Sequence, residues 1–290
     1  MSLRKIAGGS PASNSETTLA FAFDSGYLAP FGAMLRSMVK QRTLLDCPIA
    51  IYTDDPNVFK DPLVLAVTDV KRTVDGPLLE TMYKAARDTV KRPERAAWNK
   101  GTFLKWSVFE RQQTRQLLFL DVDMICRAPL EELLALRPRK PFLCAPQIQR
   151  SLFQDGDGKR RADADIEARL QRLLDGELWG PHTRRVNSGM MLIREPLLST
   201  EFRDELLRYA FASEPQLNEQ SHFSKYFAEN PSLMTTVSVK YNFQANYLRY
   251  IEQAKRSDFA SQATILHYAG KSKPWNATKH EPFQLEWFCA

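Results

Sequence analysis

Short unbroken apolar runs recur along this chain at Thr18–Phe23, Ile49–Thr53, Leu117–Leu120, Phe142–Ala145 and Val186–Ile193. Runs this short, without polar alternation, suit strands covered on both faces. Between them apolar residues return at helical spacing. Phe31, Met34, Leu35, Met38 and Val39 follow Pro30, and proline is favoured in the first turn of a helix. Residues 77–96 read as a charged helix, and Phe103 to Phe109 as an apolar one that contains Lys105. Further helices are predicted at 129–136, 166–174, 200–212 and 218–228. Leu63–Val70, Thr235–Val239 and Ile265–His267 are predicted as strands. Strand, helix, strand at the opening spacing is a βαβ unit, so the pattern predicts an α/β fold on a mixed, mostly parallel sheet.

The pattern breaks in two places. Residues 1–17 are rich in Gly, Ser and Pro without an apolar core, and read as a flexible leader, not a signal peptide. Residues 147–185 turn charged and loop-like. They read as an insertion at the edge of a single 18–290 domain, with too few apolar residues for a core of their own. Within it, Asp155-Gly-Asp-Gly158 has the start of a calcium loop but no Glu at its twelfth position, and reads as a turn.

Composition narrows the picture without deciding it. With 43% hydrophobic and 26% charged residues among 290, a globular core is expected and disorder excluded. A net charge of +6 favours anionic partners. No nucleic-acid-binding signature accompanies it. Cys47, Cys126, Cys144 and Cys289 show no CxxC spacing, which suits a reducing, cytoplasmic setting without structural disulfides. No stretch reaches transmembrane length. The apolar end at Phe283–Phe288 leaves peripheral membrane contact open.

Candidate chemistry starts where Leu117–Leu120 meets Asp121-Val-Asp123. Burying carboxylates at a strand end is costly unless they are paired or metal-bound. Read alone, the pair fits two exposed turn residues as well as it fits a site for magnesium or manganese. A second cluster, His267-Tyr-Ala-Gly270-Lys-Ser-Lys273-Pro-Trp275, offers an imidazole, a glycine permitting close backbone approach, and a lysine suited to phosphate.

Asp121-Val-Asp123, Asn187-Ser-Gly-Met-Met-Leu-Ile193, His267-x-x-Gly270-x-x-Lys273-Pro-Trp275 and Phe23-Asp24-x-x-Tyr27 together resemble glycosyltransferase family 8, which includes glycogenin, galactinol synthases and bacterial lipopolysaccharide hexosyltransferases. The resemblance spans about Thr18 to Trp275, with residues 147–185 poorly matched. It implies a GT-A fold and metal-dependent, retaining transfer of a hexose, glucose or galactose, from a UDP-linked nucleotide sugar to a hydroxyl acceptor. The acceptor stays open between glycan, lipid-linked sugar, protein and polyol. The implied cofactor is manganese, with magnesium as the alternative, held by Asp121, Asp123 and His267. Gly270 and Lys273 are implied at the phosphates, Asp24 and Tyr27 at the nucleoside, Lys105 at nucleotide or sugar, and Asn187 and Ser188 at the donor sugar. Glu219-Gln220 stands where the family carries Asp-Gln, with Gln220 near the anomeric carbon and Glu219 toward sugar hydroxyls. Gly26 stands where many members have Asn.

Two other readings compete. An Asp-x-Asp phosphatase-like hydrolase would use the same strand end, but Ile125 stands where that chemistry wants a Thr. A catalytically inactive glycan- or nucleotide-binding module would tolerate loss of either aspartate. Dinucleotide and P-loop fingerprints are absent from the sequence.

Overall fold

The computed structural model describes residues 16–92, 94, 96–136, 139–177, 185–270, 273–276 and 283–290. The 1–17 leader lies almost entirely outside them. In chain order the elements are β1 (Thr17–Ala22), α1 (Leu28–Lys40), β2 (Ile49–Thr53), α2 (Pro62–Val67), β3 (Val70–Thr73), α3 (Gly76–Asp88), α4 (Ala96–Leu104), β4 (Gln116–Leu120), β5 (Met124–Cys126), α5 (Glu131–Ala135) and β6 (Phe142–Pro146). There follow α6 (Asp163–Leu174), β7 (Val186–Arg194), α7 (Thr200–Ala212), α8 (Glu219–Glu229), β8 (Met234–Thr236), β9 (Phe243–Gln244), α9 (Arg256–Ser261), β10 (Ile265–His267) and α10 (Gln284–Cys289).

Seven strands form one sheet in the order β3-β2-β1-β4-β7-β6-β8. Neighbours from β3 to β4 run parallel, and β7 lies antiparallel to β4 and β6. The unbroken apolar runs are its central strands: Leu19–Phe21, Ile49–Tyr52 and Leu117–Leu120 are nearly fully buried. One face packs on α1, with Phe31, Met34 and Met38 against Phe21 and Leu118; the other packs on the aromatic group of Phe103, Trp106, Phe109, Phe142 and Phe223. A second sheet, β5-β10-β9, stands at the carboxyl edge of the first. Asp121 to Asp123 is the link from β4 in the large sheet to β5 in the small one.

The helix expected at 77–96 ends at Asp88, and the one expected at Phe103–Phe109 is the end of α4 followed by a 3-10 turn at Lys105–Val108. Two further expectations are corrected. Leu63–Val70 forms a helix and not a strand: Asp61 accepts from the backbone N–H groups of Leu63 and Val64, and Pro62 sits in the first turn, a strong capping arrangement. The strand comes later, at Val70–Thr73. Strand pairing also stops at Thr236, because Ser238 caps a 3-10 turn at Val239–Asn242.

Asp155-Gly-Asp-Gly158 is a turn in which the Asp155 carboxylate accepts from the N–H groups of Asp157 and Lys159. Gly158 has φ +78°. The described part of 147–185 is seated by Ile148, Leu152, Phe153, Ile166, Leu170 and Leu173, which share one buried cluster with Phe243, Leu248 and Leu266.

Helix α8 is fastened at its start. Asn218 caps it, Gln216 exchanges backbone hydrogen bonds with Thr89 and Lys91, and the buried His222 Nε2 meets the hydroxyl and carbonyl of Thr89 at 3.0 and 3.1 Å. Burial pulls the His222 pKa down to about 4, so its ring is neutral in the folded chain. The unfolded state, with an ordinary histidine near 6.5, therefore binds more protons between those values. Stability is fully present above about pH 6.5 and falls as pH drops toward 4, by on the order of 3 kcal/mol from this group. Denaturant titrations across that range should show the fall, and His222→Gln should flatten it. An unchanged slope in the variant would show that the ring is not its source.

Candidate active site

The sheet topology brings the chemistry-bearing residues to one place. Asp121 directly follows β4 and donates its backbone N–H to the Gly189 carbonyl at 2.7 Å. Asp123 opens the path into β5, and its carbonyl accepts from Tyr268 N–H at 2.9 Å. His267 ends β10, which pairs antiparallel with β5. The ligand atoms of Asp121, Asp123 and His267 lie within 4.8 Å of one another, and His267 Nε2 is 3.3 Å from Asp123 Oδ1.

The imidazole is held for that task. Its Nδ1 is 2.7 Å from Asn242 Oδ1, while the Asn242 amide donates to Asn187 Oδ1 at 2.8 Å. The Asn242 oxygen is thus the acceptor and His267 Nδ1 the donor, so the lone pair sits on Nε2, facing Asp123. Two carboxylates and an oriented imidazole are the oxygen and nitrogen donors that suit a divalent cation such as magnesium or manganese. The residues fit such an ion.

Strand β7 makes room for this geometry. Its register against β6 shifts between Cys144 and Ala145: Cys144 pairs with Met191, and Ala145 with Asn187. Ser188, Gly189 and Met190 thereby leave the β6 ladder, a bulge that re-aims side chains beside the site. A Cβ at Gly189 would lie 2.6 Å from His267 Cε1 and 2.8 Å from Met124 Cε, so the glycine is required by close packing.

Charge is balanced by two buried lysines. Lys105 Nζ lies 3.0 Å from Asp121 Oδ1 and 3.4 Å from Glu219 Oε1. Glu219 Oε1 also accepts from Ser188 Oγ at 2.8 Å. Lys273 Nζ is ion-paired with Asp123 Oδ2 and donates to the Tyr268 carbonyl. Burial pushes the Asp123 carboxyl up, but Lys273 and His267 outweigh it and hold it well below the ordinary range. Burial and the Asp123 charge together raise the Asp121 pKa in spite of Lys105. Burial opposes the charge on Lys105, and Asp121 with Glu219 restores it, leaving the ammonium above its usual value.

These groups line a cleft of about 1030 Å³. Lys105, Asp121, Asp123, Asn187, Ser188, Glu219, Gln220, His267, Gly270 and Lys273 all face it. Gly270 has φ +105°, where a side chain is strained. Asp24 and Tyr27 lie beside the cleft and outside its lining. Asp24 is exposed and caps Gly26 N–H at 2.9 Å. The half-buried Tyr27 packs edge-on to Trp275, its ring centroid 6.0 Å away; burial raises its pKa, and the charges of Lys273 and Asp123 reach it.

The family-model comparison decides the class. The model of glycosyl transferase family 8 matches residues 18–279. The chain belongs to glycosyltransferase family 8. Its fold is the GT-A fold. Solved structures similar to this family 8 chain include a galactosyltransferase, LgtC, in complex with donor and acceptor sugar analogs. The identity is 14% and the TM-score 0.60, over 93% of this chain and 94% of that one. GlyE of Streptococcus pneumoniae TIGR4 is 18% identical with TM-score 0.59, covering 94% of this chain and 60% of that one. The bifunctional glycosyltransferase WbbM is 18% identical with TM-score 0.59, covering 96% and 50%. The chain thus spans half to three-fifths of the length of the latter two. A search of curated proteins finds no significant match.

Sequence reasoning missed two members of this glycosyltransferase's site. Asn242, fully buried, orients His267. Gln147 Oε1 accepts from Asn187 Nδ2 at 2.8 Å and from Gln220 Nε2 at 2.9 Å, and so sets the polarity of both amides. Neither stands in a motif. The only local signal is that Gln147 ends the β6 apolar run, as Asp121 ends that of β4. Replacing Asn242 with Ala should lower manganese affinity by about 10–100-fold, the usual cost of losing such a partner. Gly189→Ala should do at least as much by displacing His267. Calorimetric titration of manganese into folded variants checks both, and unchanged affinity would remove His267 from the ligand set.

Proposed function

We propose that this glycosyltransferase transfers a hexose, glucose or galactose, from a UDP-linked nucleotide sugar to a hydroxyl acceptor, with retention and with manganese. The observation carrying the reading is the juxtaposition of Asp121, Asp123 and His267 with Lys273 and Gly270 at one sheet edge, in a chain of family 8. When bound, the cation neutralises charge on the departing diphosphate. Asp121, Asp123 and His267 would hold it. Lys273 adds a positive charge to the same leaving group, and Gly270 lets backbone approach the phosphates. Asp24 and Tyr27, beside the cleft, take the nucleoside. Lys105, paired with Asp121 and Glu219, holds both carboxylates within reach of the donor.

The sugar lies between Asn187, Ser188, Glu219 and Gln220 in this reading. Glu219 Oε2 is buried with no hydrogen-bond partner, and a sugar hydroxyl would satisfy it. Retention is supported by what the cleft offers. Among its described lining residues the carboxylates are Asp121, Asp123 and Glu219, each ion-paired with a lysine. No further carboxylate stands ready as a general base for inversion. Gln220 Oε1 accepts from Ser188 N–H, and an amide is a poor nucleophile. The acceptor hydroxyl therefore attacks from the face the diphosphate leaves, passing its proton to that leaving group.

The phosphatase-like reading finds less support. Asp121 is tied to Lys105, and Ile125, buried in β5, supplies no hydroxyl. A binding module without catalysis is distinguished by mutation. Asp121→Asn and Asp123→Asn should each abolish manganese-dependent transfer; retained turnover in both would favour the inactive module.

Donor binding is tested by thermal shift across nucleotide sugars, with and without manganese. A UDP-sugar at a hundredfold its dissociation constant should stabilise the fold by about 2.7 kcal/mol, and only with the metal. No shift with any UDP-sugar would overturn the donor assignment. Gln220→Ala should lower turnover in part. Complete loss with a trapped glycosyl-enzyme adduct would replace front-face attack by double displacement.

A further inference from the structure

The charged side chains of the cleft divide into two groups. The inner group is Asp121, Asp123 and Glu219 with Lys105 and Lys273, all mutually paired. The outer group is Lys91, Arg150 and Arg185, which are exposed, and Lys225, which is half-buried. Among the described lining residues, no carboxylate accompanies this outer group, and none of its four cations forms an ion pair with a described residue.

That contrasts with the neighbouring surface. Around α6, Arg160 pairs with Asp163, Arg161 and Arg169 with Asp165, Arg172 with Glu177, and Lys255 with Glu167. The chain has the means to neutralise exposed cations, and does so a short distance from the cleft. Four unpaired cations around one mouth repel each other and focus a positive field into it.

Their position separates them from the diphosphate end. Arg150 lies three residues past Gln147. The Arg185 carbonyl accepts from Gln147 N–H at 2.7 Å. Lys225 follows Gln220 on α8, and Lys91 N–H donates to the Gln216 carbonyl at 2.7 Å in the loop before α8. All four come from elements that flank Gln147 and Gln220, and none from the loop carrying Gly270 and Lys273.

We propose that this ring is an acceptor subsite for an anionic group, so that the acceptor is a sugar or polyol bearing a phosphate or carboxylate beside its reacting hydroxyl. Arg150 and Arg185 offer forked donors suited to either anion, and Lys91 and Lys225 offer point charges. Exposed trigonal or tetrahedral oxyanions remain partly hydrated there, so the ring selects by field and by fork geometry. The inference rests on the donor reading above, which places the diphosphate at the opposite end.

The test is equilibrium binding to the full chain saturated with UDP and manganese, which fills the inner site. The probes are glucose 6-phosphate, glucuronate, inorganic phosphate and glucose. Glucose 6-phosphate or glucuronate should bind at least tenfold more tightly than glucose, and the stronger of the two identifies phosphate or carboxylate as the recognised group. That preference should weaken with salt, and Arg150→Gln combined with Lys225→Gln should reduce it to within about twofold. Inorganic phosphate binding as tightly as glucose 6-phosphate in both parent and variant would mark an adventitious ion only, and would overturn the subsite. Equal affinity for charged and neutral sugars would also overturn it. So would variant-sensitive retention on phosphatidylglycerol vesicles without any sugar preference, which makes the ring a membrane contact. UDP binding with manganese is measured on the same samples. Its failure in the parent chain counts against the donor reading, whereas lost discrimination between probes counts against the ring alone.

Discussion

Three carboxylates converge at one end of a sheet, Asp123 and Glu219 buried and Asp121 partly so, and much of the surrounding architecture answers to that. Moving a carboxylate from water into a protein costs several kcal/mol unless charge and hydrogen bonds compensate it. Lys105 accounts for two of the three, which is why an ammonium group sits in the buried 3-10 turn after α4, 5.5 Å from the Phe119 ring centroid. Lys273 and His267 account for the third. Removing either lysine would strand a buried charge. The cluster is therefore a unit, and its members come from four separate stretches of chain.

What lets those stretches meet is the arrangement of two sheets. Parallel strands β1 and β4 deliver their carboxyl ends to the same edge. The small sheet returns the chain there through β10, antiparallel to β5, so Asp123 and His267 face each other across neighbouring strands. The bulge in β7 then turns Asn187 and Ser188 toward the same space. A regular β7 would have kept Ser188 to Met190 on the β6 ladder.

The layered fold was legible because it rests on local patterns: fully apolar strands, helical spacing, and a proline or aspartate at helix starts. At Leu63–Val70 the apolar run alone does not decide the conformation; the Asp61-Pro62 cap does, and it makes a helix. The acidic pair, His267, Gly270 and Lys273 were readable as chemistry because each breaks an apolar or regular context. Asn242 and Gln147 were not. A buried amide that orients a neighbour has no periodicity, and its role exists only once β9, β7 and α8 are assembled. The cation ring escaped for the same reason: whether an arginine is paired, as around α6, or unpaired, as at the cleft mouth, depends on distances that spacing along the chain does not contain. The unevenness of Glu219 was visible as a longer side chain; its unpartnered Oε2 was not.

The contact between Lys273 and Asp123 has a thermodynamic consequence. Asp123 divides its two oxygens: Oδ2 is paired with Lys273 while Oδ1 faces His267 Nε2 at 3.3 Å, so a divalent ion seated between Asp123 and His267 would meet a carboxylate whose charge Lys273 already shares. The intrinsic attraction of the site is thereby discounted by whatever holds the ammonium in place. The diphosphate of the proposed donor would offer Lys273 a second anion beside Asp123. Ion and nucleotide each lower the cost of admitting the other, by the reciprocity that any such linkage obeys. On the proposed reading, such a site would favour the state holding ion and nucleotide together over either alone.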